Sequence, residues 1–504
     1  MSEQLGMTVK KKDFNKWYLE LVQKSDLTDY ASIDGFVVFK PYAYAIWEMF
    51  QKVVDTKLKE MGIKNAYFPV LIPERLLKKE AEHFEGFTPE VAWVTHAGKT
   101  ELGERLAVRP TSETIMYDSY SKWIRSWRDL PLRLNQWNAV VRWEFKHAKP
   151  FLRTREFLWN EGHTVFATQE EAEKECKEIL EMYDWFCREY LALPGTMGRK
   201  TEKEKFAGAV YTTTIEFMMP DGKVIQGPDS HFDGQNFAKG FDIKFLDKNE
   251  KENFVYQNTW AISTRMIGVL IANHGDDRGL VLPPRIAPIQ IVIIPIYKDK
   301  DKEKVLKEAG KIRDKLKKIY AQGGLAAPIS KIYAPISKSV GAPILEGLRV
   351  ELDDRDQYTP GFKFNDWELK GVPIRIEIGP KDIVKKQAVL VRRDTSEKKA
   401  VKIASLEKEV GKLLADIQKN LYRKAEEFVN EHTKTAKDYK ELKKFVGENR
   451  VKACWCGSRE CEDAVKDETT AKISCLPLKE EKVFSACVKC GKKAKKVVIF
   501  ARSY

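Results

Sequence analysis

Two short stretches set cations beside a carboxylate and an aromatic ring: Val141-Arg142-Trp143-Glu144 and, after a loop, Arg153-Thr154-Arg155-Glu156-Phe157. An arginine fork donates two parallel hydrogen bonds, which suits a phosphate. A glutamate two residues on can accept from an exocyclic amine, and an aromatic after the loop can stack on a purine. On a β-hairpin Arg142 and Glu144 would share one face, because side chains alternate along a strand. The same spacing also suits a surface ion-pair network. Ser263-Thr264-Arg265 opens the apolar run Met266 to Ala272 and is followed by His274-Gly275-Asp276-Asp277, a pattern equally suited to a helix with a charged first turn. Cys456-x4-Cys461 and Cys487-x2-Cys490 have the spacing of a tetrahedral thiolate site. Cys454 and Cys475 are extras, and a Cys454-x-Cys456 arrangement competes. Gly98-Lys99-Thr100 ends like a phosphate-binding loop, but Trp93 stands where that loop needs its first glycine.

Elements that could hold these residues follow from periodicity. Ala43 to Leu58 reads as a helix, and so does Glu170 to Leu193, whose apolar stripe runs through Ala172, Cys176, Ile179, Tyr183, Phe186 and Tyr190. Cys187 lies on the same helix off that stripe. Strands are expected around Val140, from Tyr211 to Phe217, and around Gln226. Gly62-Ile63 followed by Ala66-Tyr67-Phe68-Pro69 reads as a helix ending in glycine and then a strand broken by proline. Past Pro283-Pro284 the pattern becomes strand (Gln290 to Ile296), helix (Lys302 to Tyr320) and three strands (Leu348 to Leu352, Val372 to Ile378, Ala388 to Arg392), which predicts a small α/β unit. Gly324 to Leu345 repeats Ala-Pro-Ile three times and reads as an inserted loop. A long amphipathic helix, Ser405 to Glu431, leads to a cysteine-rich end.

The whole chain has 504 residues, 43% hydrophobic and 32% charged, with a net charge of +14 and a pI near 9.1. That length allows about three domains at ~100–200 residues each. The positive balance favours a polyanionic partner such as RNA, and a lysine-rich surface would give it too. No apolar run approaches the ~18 residues of a membrane span, and the polar start, Met1 to Phe14, is unlike a secretory signal. The expected compartment is the cytoplasm, where clustered cysteines read as metal ligands.

The three motifs occur in a fixed order: the glycine/proline element, the Arg-x-Glu hairpin and the Ser-Thr-Arg helix. That order resembles motifs 1, 2 and 3 of class II aminoacyl-tRNA synthetases. Arg109-Pro110-Thr111-Ser112-Glu113-Thr114 resembles the proline-recognition segment of prolyl-tRNA synthetases, and His274-Gly275-Asp276-Asp277-Arg278-Gly279-Leu280-Val281-Leu282-Pro283-Pro284 resembles their junction into the anticodon-binding domain. Gly361-Phe362-Lys363-Phe364-Asn365-Asp366-Trp367-Glu368-Leu369-Lys370-Gly371-Val372-Pro373 resembles the core of that domain. The likeness runs from about Phe14 to Tyr504 and is to the archaeal/eukaryotic-like type with a C-terminal zinc-binding domain.

The resemblance implies an α+β multidomain fold: a class II antiparallel-sheet catalytic domain (1–285), an α/β anticodon-binding domain (286–400) and a small α+β zinc-binding C-terminal domain (401–504). It implies ATP-dependent attachment of L-proline to tRNA(Pro) through a prolyl-adenylate, with Mg²⁺, a structural Zn²⁺ and a homodimer formed through the motif 1 region. Arg142, Arg153 and Arg265 would be catalytic. Glu144, Thr154, Phe157, Gln226 and Thr264 would join them around ATP. Thr111, Glu113, Arg142, Trp159, Glu161, Phe206, His231 and Ser263 would bind proline, with Phe87 bracing the pocket. Glu368 and Arg375 would read the anticodon, and Cys456, Cys461, Cys487 and Cys490 would hold the metal. Where the family has threonine, this chain has Asp229, expected either to bring a second carboxylate near Glu113 or to turn away and cap its loop. The spacing from Phe157 to Arg265 leaves no room for the editing insertion of bacterial-type enzymes. The rival reading is a synthetase-like tRNA-binding or regulatory protein without catalysis.

Overall fold

The computed structural model describes residues 6–81, 90–145, 148–319 and 347–504. Phe87 and the Ala-Pro-Ile segment lie outside these residues.

Helix α1 (Phe14–Lys24) and helix α2 (Pro41–Glu60) bury their aromatic faces together. Helix α2 begins with a proline at its first turn, where a missing N–H costs nothing. Gly62, at φ +81°, turns the chain out of it into the two-residue strand β1 (Lys64–Asn65). The motif 1 strand is therefore shorter than its sequence pattern promised. Helix α3 (Glu113–Trp123) follows the Arg-Pro-Thr-Ser segment.

The large sheet comes next, and its strand order differs from the sequence order. Strands β2 (Leu132–Val141) and β3 (Glu156–Phe166) are an antiparallel hairpin. Helix α4 (Gln169–Glu189) starts from a capping box in which Thr168 and Glu171 satisfy each other's backbone N–H groups. It lies against the sheet so deeply that Glu175, Asp184 and Cys187 are buried along with the stripe, which explains why Cys187 is hidden despite its off-stripe position. Strands β4 (Thr196–Arg199), β5 (Tyr211–Met218), β6 (Val224–Gly234) and β7 (Tyr256–Ser263) complete this part antiparallel, β7 pairing with β3. Helix α5 (Arg265–His274) then closes over the sheet with an almost wholly apolar body.

Strand β8 (Ile291–Pro295), helix α6 (Lys302–Ile319), strand β9 (Val350–Leu352), helix α7 (Pro360–Leu369) and strands β10 (Ile374–Ile378), β11 (Gln387–Arg392) and β12 (Lys398–Lys402) make a second sheet, in the order β9-β8-β10-β11-β12. Strand β8 pairs parallel to both neighbours and is apolar throughout, as a strand covered on both faces must be. Helix α8 (Leu406–Glu431) shares this core through Leu406, Val410, Leu414, Ile417 and Leu421.

Strands β13 (Thr433–Ala436) and β14 (Arg450–Trp455), helix α9 (Arg459–Thr469) and strands β15 (Lys472–Pro477) and β16 (Lys496–Ala501) form the last unit. It is not a separate sheet. Strand β15 pairs with β4 at Leu476 and Arg199, so one 11-stranded sheet runs β13-β14-β16-β15-β4-β5-β6-β7-β3-β2-β1 among the described residues. Close backbone approach makes that join possible: a Cβ on Gly198 would come within 2.5 Å of Cys475.

Candidate active site

The register of the sheet builds the floor of the site. Glu161 faces Gln136 on one side and Ala261 on the other, Trp159 faces Asn138 and Ser263, and His163 faces Thr259, which in turn faces His231. With a side-chain period of two, Trp159, Glu161 and His163 lie in one row on one face. Above them lies a cavity of about 740 Å³. Its wall includes Thr111, Glu113, Arg142, Glu144, Phe157, Trp159, Glu161, Phe206, Gln226, Asp229, His231, Ser263 and Arg265.

The cavity is electrically two-ended. At one end Glu161 is 2% exposed and accepts from Ser112 N (3.2 Å), Gln136 Nε2 (3.0 Å) and Asn138 Nδ2 (2.6 Å), with His163 Nε2 at 3.2 Å. Burial alone would raise its pKa, but the His163 contact and the Ser112 and Asn138 hydrogen bonds hold it below the usual carboxylate range. Burial alone would lower His163, and Glu161 with the Glu113 charge raises it instead. Thr111 Oγ1 donates to Glu113 beside them. Asp233 is fully buried, and burial pushes its pKa up to about 7.

At the other end stand Arg142 and Arg265, with Arg153 in the smaller hollows alongside, none of them in an ion pair among the described residues. Arg142 donates from Nε to Pro110 O (3.1 Å), and its guanidinium lies over the rings of Phe157 (5.4 Å) and Trp159 (5.5 Å). Arg265 is the first residue of α5; its N–H meets Ser263 Oγ at 3.3 Å and its Nη1 donates to Gln226 O at 3.2 Å. Burial first, then Arg142 and Arg153, depress the Arg265 pKa to about 10. Asp229 and Glu216 only partly offset them, and a group of arginines without ion-pair partners suits an anion.

Strand β2 ends at Val141, so Arg142 and Glu144 do not share a strand face. They sit in the connecting loop, where Arg142 N–H still meets Arg155 O at 2.7 Å, and both reach the cavity. Arg153 and Thr154 line smaller hollows beside the main one. Thr264 is fully buried with its hydroxyl unpartnered and does not reach a cavity wall. Asp229 stays at the cavity wall, accepting from Gln226 Nε2 (2.7 Å) and lying 3.4 Å from His231 Nε2. His231 Nδ1 meets Thr212 Oγ1 at 2.8 Å, and the His231 ring packs on Phe206 with centroids 4.8 Å apart. Gln136, Asn138, Ser112, His163 and Asp233 were not singled out from sequence. His163 was findable, being two residues from Glu161 on the same strand face. Gln136 and Asn138 needed the pairing partner to be known.

Far from this cavity, Glu368 Oε1 pairs with Arg278 Nη1 at 2.7 Å, and Arg375 pairs with Glu377 at 2.9 Å while lying over the Phe364 ring. In the last unit the sulfurs of Cys456, Cys461, Cys487 and Cys490 all lie within 4.8 Å of one another, Cys456 to Cys461 at 3.7 Å and Cys456 to Cys490 at 3.8 Å. A tetrahedron with metal–sulfur bonds of ~2.3 Å has edges of ~3.8 Å, so the four thiols fit a tetrahedral ion. Cys454 and Cys475 are buried, and neither belongs to the group of four sulfurs.

One packing feature behind the floor is testable. A Cβ on Gly162 would fall 2.0 Å from Trp260. Gly162→Ala is expected to destabilise the protein by about 1–3 kcal/mol through overpacking, read as a lowered thermal midpoint.

The antiparallel sheet, the hairpin arginine and the arginine-led helix over a two-ended cavity define a class II aminoacyl-tRNA synthetase. Sequence comparison agrees. Residues 93–274 match the tRNA synthetase class II core domain (G, H, P, S and T), residues 290–413 an anticodon binding domain, and residues 439–504 the prolyl-tRNA synthetase C-terminal domain. The proline--tRNA ligase of Alkaliphilus oremlandii is 51% identical over 98% of this chain and 96% of its own length. That of Oceanobacillus iheyensis is 50% identical over 99% and 98%, and proline--tRNA ligase 2 of Clostridioides difficile is 49% identical over 98% and 96%. The chain belongs to the proline--tRNA ligase family.

Proposed function

We propose that this chain attaches L-proline to tRNA(Pro) in two steps, through a prolyl-adenylate. The observation that carries the reading is the polarity of the cavity, with Glu113 and Glu161 at one end and Arg142 and Arg265 at the other. A zwitterionic amino acid and a nucleoside triphosphate meet across such a site with every charge matched. Thr111 and Glu113 receive the proline ammonium, and Trp159, Glu161, Phe206, His231 and Ser263 shape the pocket for its ring. Arg142 holds the α-phosphate, Glu144 contacts adenine and Phe157 stacks on it. Arg153 and Arg265 take the β- and γ-phosphates, with Thr154, Gln226 and Thr264 in the surrounding shell. The proline carboxylate attacks the α-phosphorus and pyrophosphate leaves; the terminal ribose hydroxyl of tRNA then attacks the adenylate. No protein nucleophile is needed. Positioning and cations aimed at developing negative charge supply the rate. Mg²⁺ would neutralise phosphate oxygens.

Three further parts belong to this reading. The division at about residues 285 and 400 separates catalysis, anticodon reading and a C-terminal unit whose four thiolates hold Zn²⁺ structurally. Exposed apolar side chains around motif 1, Tyr67 (71% exposed), Trp123 (52%) and Val70 (41%), support a homodimer there. Glu368 and Arg375 exchange their internal partners for guanine edges of the anticodon. Arg375→Ala is expected to lower aminoacylation about 10–100-fold, one good base contact, while pyrophosphate exchange persists. Equal loss in both assays would contradict the role.

From Phe157 to Arg265 the chain is occupied by β3, α4, β4 to β7 and their connections, which supports the absence of a separate editing domain. A pocket built for proline admits alanine, because a missing methylene costs only ~1–3 kcal/mol of discrimination. The enzyme is therefore expected to form alanyl-tRNA(Pro) and not to hydrolyse it. The test is charging of a transcribed proline tRNA with each amino acid, followed by incubation of purified alanyl-tRNA(Pro) with fresh enzyme. Proline acceptance with stable alanyl-tRNA fits the reading. No proline acceptance would refute it, and rapid alanine release would refute its editing part.

A further inference from the structure

Beside the main cavity lies a second, smaller chamber of about 110 Å³. The two share Gln226 and Arg265 in their walls. Four cations border the chamber: Arg153, Lys200, Arg265 and Lys472. Lys472 comes from strand β15, in the C-terminal unit, and Ser503 and Tyr504 form part of the same wall.

The charges there do not cancel. Glu216 is the one side-chain carboxylate on the chamber wall, matched by Lys200 at 2.5 Å, and Tyr504 adds the chain-terminal carboxylate against the four cations. Lys200 is buried and also donates to Ser474 O at 2.9 Å, which leaves one of its three N–H groups. Lys472 pairs with Glu204, a residue of the main cavity wall, so this pair stands at the partition between the two spaces. Arg153 and Arg265 have no carboxylate partner among the described residues. The chamber thus carries more cationic than anionic groups and shares its Gln226 and Arg265 wall with the main cavity.

We propose that this chamber receives the pyrophosphate leaving group and that Lys472 is a binding residue for it. The inference rests on the adenylation reading above. When the proline carboxylate oxygen bonds to the α-phosphorus, the bond from that phosphorus to the bridging oxygen breaks, and pyrophosphate departs with the electron pair. Arg265 borders both its starting position and the chamber, and Arg153 borders the chamber. A short displacement brings it to Lys200 and Lys472 with charge contact maintained throughout. The C-terminal unit then takes part in the first chemical step, which explains why its sheet is continuous with the catalytic one.

The test is proline-dependent ATP–pyrophosphate exchange with Lys472→Gln and Lys472→Arg, together with calorimetric titration of inorganic pyrophosphate into each protein. Lys472→Gln is expected to raise the KM for pyrophosphate about tenfold, the loss of one charge-assisted hydrogen bond, and to leave the KM for proline unchanged. Lys472→Arg is expected to restore most of the affinity. Because Lys472→Gln also frees Glu204, the double variant Glu204→Gln/Lys472→Gln should keep the raised KM. If it returns to the wild-type value, the effect belongs to Glu204 and the proposal falls. An unchanged pyrophosphate KM in folded Lys472→Gln also overturns it. If the wild-type protein shows no exchange, the adenylation reading fails instead, and the titration alone decides the chamber. Pyrophosphate that does not bind wild type, or binds Lys472→Gln equally well, rules it out.

Discussion

Arg142→Ala should lower the rate of prolyl-adenylate formation by about 10²–10³-fold, the loss seen when one preorganised donor to a developing anion is removed. The guanidinium is held before any substrate arrives, by Pro110 O on one edge and by the Phe157 and Trp159 rings beside it. It is in no ion pair among the described residues, so its removal leaves no carboxylate stranded. The variant should therefore melt near the wild-type temperature while exchange collapses. Arg142→Lys should recover little, because an ammonium cannot donate a parallel pair of hydrogen bonds or lie flat on the rings. Near-normal exchange in Arg142→Ala would remove the residue from the reaction.

Withdrawal of the proposed zinc should have an effect at least as large. Structural zinc in small thiolate sites carries an apparent binding free energy of roughly 10–16 kcal/mol at neutral pH, which the fold loses with the ion. Here the loss would spread. Helix α9 starts between Cys456 and Cys461, with Ser458 Oγ accepting from Cys461 N, and it leads into β15. That strand pairs with β4 of the catalytic sheet at Leu476 and Pro477. Prolonged treatment with a strong chelator, or Cys487→Ser, is expected to unfold the C-terminal strands and to abolish exchange with them. Metal analysis should find about one zinc per chain in untreated protein. Metal-free protein with an intact sheet and full activity would contradict the structural role.

Much of this molecule was legible in its sequence because the informative signals are local. Spacing brought Cys456, Cys461, Cys487 and Cys490 forward with a Cys454-x-Cys456 arrangement still open, the family resemblance chose among them, and the helices at Ala43 to Leu58 and Glu170 to Leu193 follow from apolar periodicity. What stayed hidden depends on pairing between distant segments. Gln136 and Asn138 meet Glu161 only through the register of β2 on β3. The continuity of the C-terminal and catalytic sheets rests on two residue pairs between β15 and β4, and no composition shift announces it. Helix α8 was grouped with the cysteine-rich end by its position in the chain, yet its first five turns share the core of the second sheet. Arg142 and Glu144 reach the cavity from a loop and not from a strand face, because β2 ends one residue before Arg142.

The central claim is that the cavity activates proline with ATP. ATP–pyrophosphate exchange measured separately with each of the twenty standard amino acids tests it most directly. Proline should support exchange far above the rest, with alanine a weak second, weaker by about 10–200-fold for each methylene it lacks. Exchange driven by a different amino acid, or by none of them, would contradict the account.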